Sequence, residues 1–202
     1  MKLFSKKYLS LLCLVSIILL PKCSKNNSKS GGSNFYSTDT SKLGIEVTDS
    51  DIGIKFSPPQ NWILMPSSMS KKIESRSGTP SSQDNFIYTP AYVFFNNSTG
   101  GVLSIGKVAS SDSTLSKQAQ MNYYKSLLSS KYQKNDLSFG KFTKSKISFF
   151  RFRFKKENLI SIKLLFENSQ KDIIQMDFST PIANFDKSES FIKASIGSIK
   201  LN

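Results

Sequence analysis

Apolar residues alternate with other residues along three neighbouring segments in the last third of the chain, and this pattern constrains the fold more than any other feature. The three sets are Phe150, Phe152 and Phe154; Ile160, Ile162, Leu164 and Phe166; and Ile174, Met176 and Phe178. A period of two predicts β-strands, because successive side chains of a strand point to opposite faces. The separations, through residues 156–158 and 168–171, suit hairpin turns, so we predict a three-strand antiparallel meander.

Shorter patterns predict further strands before the meander. Ile52, Ile54 and Phe56 alternate with Gly53 and Lys55, Leu103 and Ile105 lie between Val102 and Lys107, and residues 91–95 form a short aromatic run.

Trp62 follows a double proline and is predicted to be a core anchor. Gly100 and Gly101 precede a strand and not a helix, which favours a hairpin turn over a phosphate-binding loop. Residues 75–90, rich in serine, are predicted to form a long loop.

Two segments have the pattern of helices. The first runs from Thr114 to about Lys131, with an apolar stripe of Leu115, Ala119, Tyr123 and Leu127 and with Asp112 or Ser113 as its cap. The second begins at Asp186, which with Glu189 forms a capping-box pattern. Phe191, Ala194 and Ile196 are predicted to face inward, and residues 199–201 to close the sheet as a last strand.

Together these elements predict a single α+β domain over residues 42–202, with a mainly antiparallel sheet flanked by helices. IGIKFSPPQNWILM (52–65) and ISIKLLFENSQKDIIQMDFSTP (160–181), followed by the helix from Asp186, resemble the PsbP-like fold. That fold is shared by the photosystem II extrinsic protein, the Ran-binding Mog proteins and the bacterial lipoprotein DcrB. The resemblance implies an α/β/α sandwich that acts as a non-enzymatic binding or assembly module. A nuclear-transport-factor-like cone and another α+β sandwich are the alternatives.

The amino-terminal residues predict export. Three lysines precede an apolar run from Leu9 to Leu20, which is followed by Pro21, Lys22 and Cys23. A helix of that length spans about 18 Å, short of the roughly 30 Å hydrocarbon core of a bilayer. The segment is therefore predicted to be a secretory signal and not a permanent spanning helix.

The same segment resembles a bacterial lipoprotein signal of the looser kind found in spirochaetes, with Leu20 three positions before Cys23. The resemblance implies that residues 1–22 are removed, that Cys23 is lipidated, and that residues 23–41 form a disordered polar tether. It also implies a bacterial cell-envelope location, at the outer rather than the inner membrane because Ser24 and not an aspartate follows the cysteine. An ordinary cleaved signal and an uncleaved anchor are the alternatives.

The residue types present limit the chemistry. The chain has no histidine, and its two cysteines are Cys13, inside the apolar run, and Cys23. The usual zinc sites and the Cys-His or Ser-His-Asp groups cannot be assembled, so we expect no cofactor, no metal and no enzyme activity. Asp172 and Asp177 are an odd number of residues apart and fall on opposite faces of a regular strand. A carboxylate-based hydrolase or transferase and a small-lipid carrier remain the alternative functions.

A net charge of +14 is the remaining signal. Residues 138–156 contain basic residues and no acidic ones, and the candidate binding stripe is Lys144, Lys146, Arg151, Arg153 and Lys155. Arg151 and Arg153 are predicted to project together from the face opposite Phe150, Phe152 and Phe154.

The stripe predicts contact with an anionic surface or glycan, in addition to the membrane at the lipid anchor and an unknown protein partner. Nucleic acid is not an expected partner of an exported lipoprotein. The alternative is that these outward positions carry charge for solubility and to protect a sheet edge. In an α/β/α sandwich the face that carries Arg151 and Arg153 is partly covered too, and the accessible part of the stripe is then smaller.

Overall fold

The computed structural model describes residues 36, 38–66 and 85–202. Within them the strands are β1 (Val47–Asp49), β2 (Ile54–Phe56), β3 (Ile63–Leu64), β4 (Phe86–Asn96), β5 (Gly101–Ser110), β6 (Ser138–Lys144), β7 (Ile147–Lys156), β8 (Leu159–Glu167), β9 (Ile173–Pro181) and β10 (Lys200–Leu201). The α-helices are α1 (Lys117–Tyr132) and α2 (Phe185–Ser198), and short 3-10 turns lie at Thr40–Lys42 and Ile182–Asn184. None of the helices in this part of the chain is long and apolar enough to cross a membrane.

Seven strands form one antiparallel sheet in the order β3-β4-β5-β9-β8-β7-β6. The predicted meander is confirmed as β7-β8-β9, in which Arg153 pairs with Ile162 and Ile162 with Phe178. Strand β6 extends the meander through a tight turn at Ser145 and Lys146, both of which have positive φ. Positive φ at both central residues gives the turn a twist that matches the right-handed twist of the flanking strands.

Both faces of this sheet are covered. Phe149, Leu164 and Met176 belong to a core shared with α2, whereas Phe152 and Leu165 belong to a second core shared with α1. The α+β sandwich with helices flanking a mainly antiparallel sheet is therefore confirmed. The second face of β7 is covered as well, as the sandwich implies: Phe149 is completely buried beside the arginines, while Phe150 is only half-buried.

A second, three-stranded sheet has the order β1-β2-β10. Ile54 and Phe56 of β2 are completely buried in the core on the α2 side of the large sheet. The predicted last strand exists, but it pairs with β2, where Lys200 lies opposite Lys55, and not with the large sheet. The ends of the domain thus meet in a small sheet of their own.

The helix starts differ from those predicted. Helix α1 is capped by Ser116, whose Oγ accepts from the Ala119 amide at 3.2 Å, while Asp112 accepts from Thr114 in the preceding turn. Helix α2 follows Asn184 with no side-chain cap, so the capping box of Asp186 and Glu189 does not form. The inward residues of α2 include Ala194 and Ile196 as predicted, but Ile192 replaces Phe191.

The loop predictions have mixed outcomes. Trp62 is buried as predicted and meets Phe178 edge-on at 6.3 Å between ring centroids. The hairpin turn before Gly101 is confirmed by the pairing of Gly101 with Asn96. The predicted loop 75–90 is too long at its end, because strand β4 already begins at Phe86. Residues 67–84 lie outside the described part.

Candidate functional site

The five residues of the predicted stripe are divided by the fold. Arg151, Arg153 and Lys155 alternate along one face of β7, the face that α2 covers. Lys144 shares that face, because it pairs with the buried Ile147 across the β6-β7 ladder. Lys146 stands in the turn between these strands. The side chains are therefore spread along the whole length of β7, and only the central two lie close together under the helix.

The two arginines line a groove of about 240 Å³ between β7 and α2. We call it the arginine groove and define it by Arg151, Arg153, Tyr36 and Phe185. The neighbouring wall is formed by Ile192 and other residues of α2, which contributes both apolar and charged side chains. The groove is small, so it suits one functional group of a ligand rather than a drug-sized molecule.

Arg151 is half-buried and is held by one hydrogen bond from its Nη1 to the Tyr36 hydroxyl at 3.2 Å. Its Nε is buried and has no hydrogen-bond partner among the described residues. Gly140 lies opposite on β6, where an added Cβ would stand 3.5 Å from Nη2 of the arginine. A buried donor without an acceptor is unfavourable, so this guanidinium retains capacity for an anionic acceptor.

Arg153 contacts an aromatic ring instead. Its guanidinium carbon lies 5.3 Å from the centroid of Phe185, a cation–π arrangement at the start of α2. Glu189 also lines the groove, but its carboxylate pairs with Lys193 at 3.1 Å. Among the described residues neither arginine forms an ion pair, so two guanidinium groups stand side by side on one strand without a carboxylate.

The three lysines of the stripe have other surroundings. Lys144 donates from Nζ to Thr38 Oγ1 at 3.3 Å, and burial, followed by the charge of Lys200, lowers the pKa of Lys144. Lys155 forms an exposed ion pair with Asp136 at 3.2 Å. Lys146 lines a different groove, on the α1 side of the sheet. The structure thus brings together Arg151 and Arg153 from the predicted set, and not the lysines.

Sequence reasoning missed two aromatic members of the arginine groove. Tyr36 lies in the segment that composition assigned to the tether, yet its side chain is buried and stacks on Phe142 at 4.4 Å. Thr38 likewise donates to the Gly197 carbonyl at 2.9 Å. Phe185 belongs to α2, which begins one residue earlier than predicted. The pair Phe35 and Tyr36, aromatic within a polar stretch, was the only available signal for the first of these contacts.

A buried ion pair lies on the other face of the sheet. Asp177 Oδ2 accepts from Lys163 at 2.6 Å and from Gln175 at 2.9 Å, and Gln175 in turn accepts from the hydroxyl of Tyr124 on α1. Burial raises the pKa of the Asp177 carboxyl, and Lys163 opposes that effect. Neither Asp177 nor Lys163 lines the arginine groove, so this network packs α1 against the sheet.

Two further acidic side chains, Asp172 and Asp49, have structural partners. Asp172 pairs with Lys107 and Lys117, and Asp49 accepts from the Tyr92 hydroxyl at 2.8 Å. Across the described residues no three metal-ligating side chains of His, Cys, Asp or Glu come together. Cys23, the predicted lipidation residue, lies outside the described residues.

Comparison with known proteins yields similarity at the level of solved structures. No family model matches the chain, and no curated protein sequence matches it. The solution structure of cyanobacterial PsbP (CyanoP) from Synechocystis sp. PCC 6803 is similar with a TM-score of 0.48 and 12% identity, over 80% of this chain and 94% of that one. The crystal structure of the Ran-binding protein Mog1p from Saccharomyces cerevisiae is similar with a TM-score of 0.40 and 8% identity, over 79% of this chain and 96% of that one.

Proposed function

We propose that this chain is a lipid-anchored bacterial envelope protein whose folded domain binds an anionic group in the arginine groove, without catalysis. The observation that carries the proposal is the adjacent placement of Arg151 and Arg153, half-buried and without a carboxylate partner in the described residues. The anchor is the lipid on Cys23, with an envelope location at the outer membrane. These two parts are independent, because the groove lies in the domain and the anchor in the amino-terminal segment.

Two like charges on alternate positions of a strand repel each other, and partial burial strengthens that repulsion. A bound anion removes it, and a guanidinium offers a planar set of donors that matches carboxylate, phosphate and sulfate groups. Tyr36 and Phe185 fix the orientation of the two arginines from opposite sides. The groove is therefore organised for an anion before the anion arrives, which lowers the ordering cost of binding.

A carboxylate-based enzyme is less well supported than a binding module. Such an enzyme needs two carboxyl groups beside one accessible space, with the pKa of one of them raised. Asp177 has a raised pKa, but it is buried and paired with Lys163. Glu189 stands at the arginine groove, and it is paired with Lys193. Neither acid is therefore placed for proton transfer to a bound substrate.

A small-lipid carrier needs an apolar cavity beneath the phenylalanine-rich sheet. On the α2 side, Phe149 stacks with Phe142 and packs against Phe166, with ring centroids 4.9 Å apart in both pairs. These contacts fill the space between the rings with ordinary close packing. The phenylalanines of this face therefore act as core residues, which favours the binding module.

Inorganic phosphate and sulfate test the groove directly. We expect either anion to shift the Nε–Hε resonance of Arg151 in an NMR titration, because that donor is buried and unpaired. Replacing both arginines (Arg151→Gln with Arg153→Gln) should weaken binding about tenfold or more. The matched control is Lys155→Gln with Lys156→Gln, which removes the same charge from exposed positions of the same strand. Equal losses in the two double variants would mean that only the overall charge matters and would overturn the proposed site.

A further inference from the structure

A second basic surface lies on the opposite side of the sheet, between α1 and the β6-β7 hairpin. One groove of about 410 Å³ is lined by Lys141, Lys146, Phe150 and Lys171, among others. A neighbouring groove of about 480 Å³ is lined by Phe139 and by α1 residues Asn122, Lys125, Ser126, Ser129 and Ser130. The grooves meet where Lys125 Nζ lies 3.9 Å from the centroid of Phe150. We call this combined surface the lysine cleft.

Three of the four lysines of the lysine cleft have no ion-pair partner within the described residues, whereas Lys171 pairs at 3.4 Å with Glu167, which also lines the cleft. Lys125 and Lys141 both lie against the ring of Phe150, at 3.9 and 5.4 Å from its centroid, and neither forms an ion pair there. Lys146, in the hairpin turn, also has no ion-pair partner in this part of the chain. Burial, and then the charge of Lys141, lowers the pKa of Lys125, with Glu167 opposing. Two ammonium groups are thus held close together, an arrangement that an anionic ligand stabilises.

The lining of the cleft combines polar side chains with an exposed ring. Phe139 is 56% exposed and lies nearly parallel to Phe150, with centroids 6.4 Å apart. On α1 the side chains of Asn122, Ser126 and Ser130 recur every four residues, which places successive ones about 6 Å apart along the helix axis. Ser126 Oγ donates to the Asn122 carbonyl at 3.1 Å and Asn122 Oδ1 accepts from Gln118 at 3.4 Å, and hydroxyl and amide groups keep further donor or acceptor capacity beyond one such bond. A row of such groups beside a ring matches an extended ligand that carries hydroxyl groups and apolar ring faces.

We infer that the lysine cleft binds an acidic polysaccharide chain, with carboxylate or sulfate groups at Lys125 and Lys141 and a sugar face on Phe139. The part of the cleft beside Lys141 and Phe150 is recessed, whereas the part beside Phe139 is shallow and open, a combination that fits a single chain which enters the first part and lies across the second. The cleft offers one well-exposed ring rather than the series of stacking aromatics typical of single-stranded nucleic acid sites. The inference does not depend on the arginine groove, which lies on the other face.

Polygalacturonate and heparin are suitable probes, with neutral dextran as the uncharged comparison. The full-length chain in neutral detergent micelles should bind both acidic polymers and not dextran, with affinity that falls as salt rises. Removing two cleft charges (Lys125→Gln with Lys141→Gln) should weaken binding about tenfold. Phe139→Ser should weaken it about threefold without changing charge, because sugar-ring contact is lost.

The charge-matched control is Lys134→Gln with Lys156→Gln, two exposed lysines that do not line either groove of the cleft. Losses as large in this control as in the cleft variant would overturn the inference, because diffuse charge would then explain the binding. Failure to bind both acidic polymers would also overturn it. Two competitors test other ligand classes: a single-stranded oligonucleotide, and mixed micelles that contain phosphatidylglycerol. If either displaces bound polygalacturonate at a lower concentration of negative charge than heparin needs, the inference is overturned. Circular dichroism of each variant checks that the fold is intact.

Discussion

Lys163 and Asp177 face each other across β8 and β9, with Nζ and Oδ2 2.6 Å apart and with 3% and 7% of their side chains exposed. They form a directly opposed pair in the ladder, beneath α1. Asp177 also accepts from Gln175, and its Oδ1 has no hydrogen-bond partner among the described residues. The two opposite charges lie in a region that water does not reach, and their attraction offsets the free-energy cost of burying each of them.

Removing one member of this pair should lower the free energy of unfolding strongly, whereas removing both should lower it only a little. Lys163→Met or Asp177→Asn alone should lower the free energy of unfolding by about 3–5 kcal/mol, because the other charge is left buried and unpaired. The double variant should lie within about 1–2 kcal/mol of the wild type, since the asparagine side chain introduced by Asp177→Asn still offers an oxygen to Gln175. Urea denaturation of the four proteins measures the coupling. Additive losses would show that the two residues act independently.

Gly106 of β5 lies directly against the backbone of β4, with no room for a side chain. An added Cβ there would stand 2.1 Å from the Thr89 carbonyl oxygen and 2.6 Å from Pro90 Cα. Both are backbone atoms beside the register shift between Pro90 and Tyr92, so neither can move without disturbing the ladder. Gly106→Ala should therefore lower the free energy of unfolding by about 3 kcal/mol or more.

Gly140 provides the matched control for Gly106, since it is also a glycine inside a strand of the large sheet. An added Cβ at Gly140 meets nothing closer than the Arg151 guanidinium at 3.5 Å, an ordinary contact. Gly140→Ala should leave stability unchanged or raise it slightly, because alanine restricts the unfolded chain. Equal thermal denaturation midpoints for the two variants would contradict the close approach at Gly106.

Asp172 links strand β5 to the start of α1 through two lysines. Its carboxylate oxygens lie 2.9 Å from Lys107 Nζ and 3.2 Å from Lys117 Nζ. The hydrogen bond from Lys107 most strongly lowers the pKa of Asp172 below its usual 3.8; Lys117 adds to this, and partial burial opposes it. As the pH falls toward 3.8 and below, this carboxylate is therefore protonated more in the unfolded state than in the folded state.

The sign of the resulting pH dependence follows from the lowered pKa. The stabilisation by Asp172 is fully present above pH 3.8 and is lost as the pH falls through the lower folded-state pKa. Asp172→Asn should therefore be less stable than the wild type at about pH 6, with a difference that shrinks as the pH falls below 3.8. Thermal denaturation at a series of pH values measures this. A stability difference that stays constant over this pH series would contradict the role of the Asp172 ion pairs.

The meander and the two helices follow from the sequence because their patterns are long and regular. The same periodicity does not settle how far each face of β7 is buried, since a strand with apolar residues at 149, 150, 152 and 154 is ambiguous once both faces are buried. The start of α1 was ambiguous for a different reason. Ser113 and Ser116 both have the side chain of a cap, and only tertiary contacts select between them.

The arginine groove could be predicted only in part. Arg151 and Arg153 share a face because alternation requires it, but Tyr36 reaches them from the far end of the chain. The lysine cleft depends on α1 lying beside β6 and β7, a long-range relationship that no local pattern encodes. Strand β6 was missed because its phenylalanines (139 and 142) and its lysines (141 and 144) each recur every three residues and not every two, on an edge that is largely exposed.

The anchor prediction concerns Cys23, and Cys13 supplies its matched control. The proposed lipidation requires the thiol of Cys23, whereas Cys13 lies in the apolar run that the proposed processing would remove. The wild type and Cys13→Ala should incorporate labelled palmitate in a lipoprotein-processing bacterial host and enter the detergent phase on partitioning. Cys23→Ala should incorporate no palmitate and should yield no processed protein in the detergent phase. It should accumulate in its longer, unprocessed form. If Cys23→Ala is processed and partitioned like the wild type, the lipid anchor is wrong, and binding in the arginine groove then has to be tested for a secreted protein.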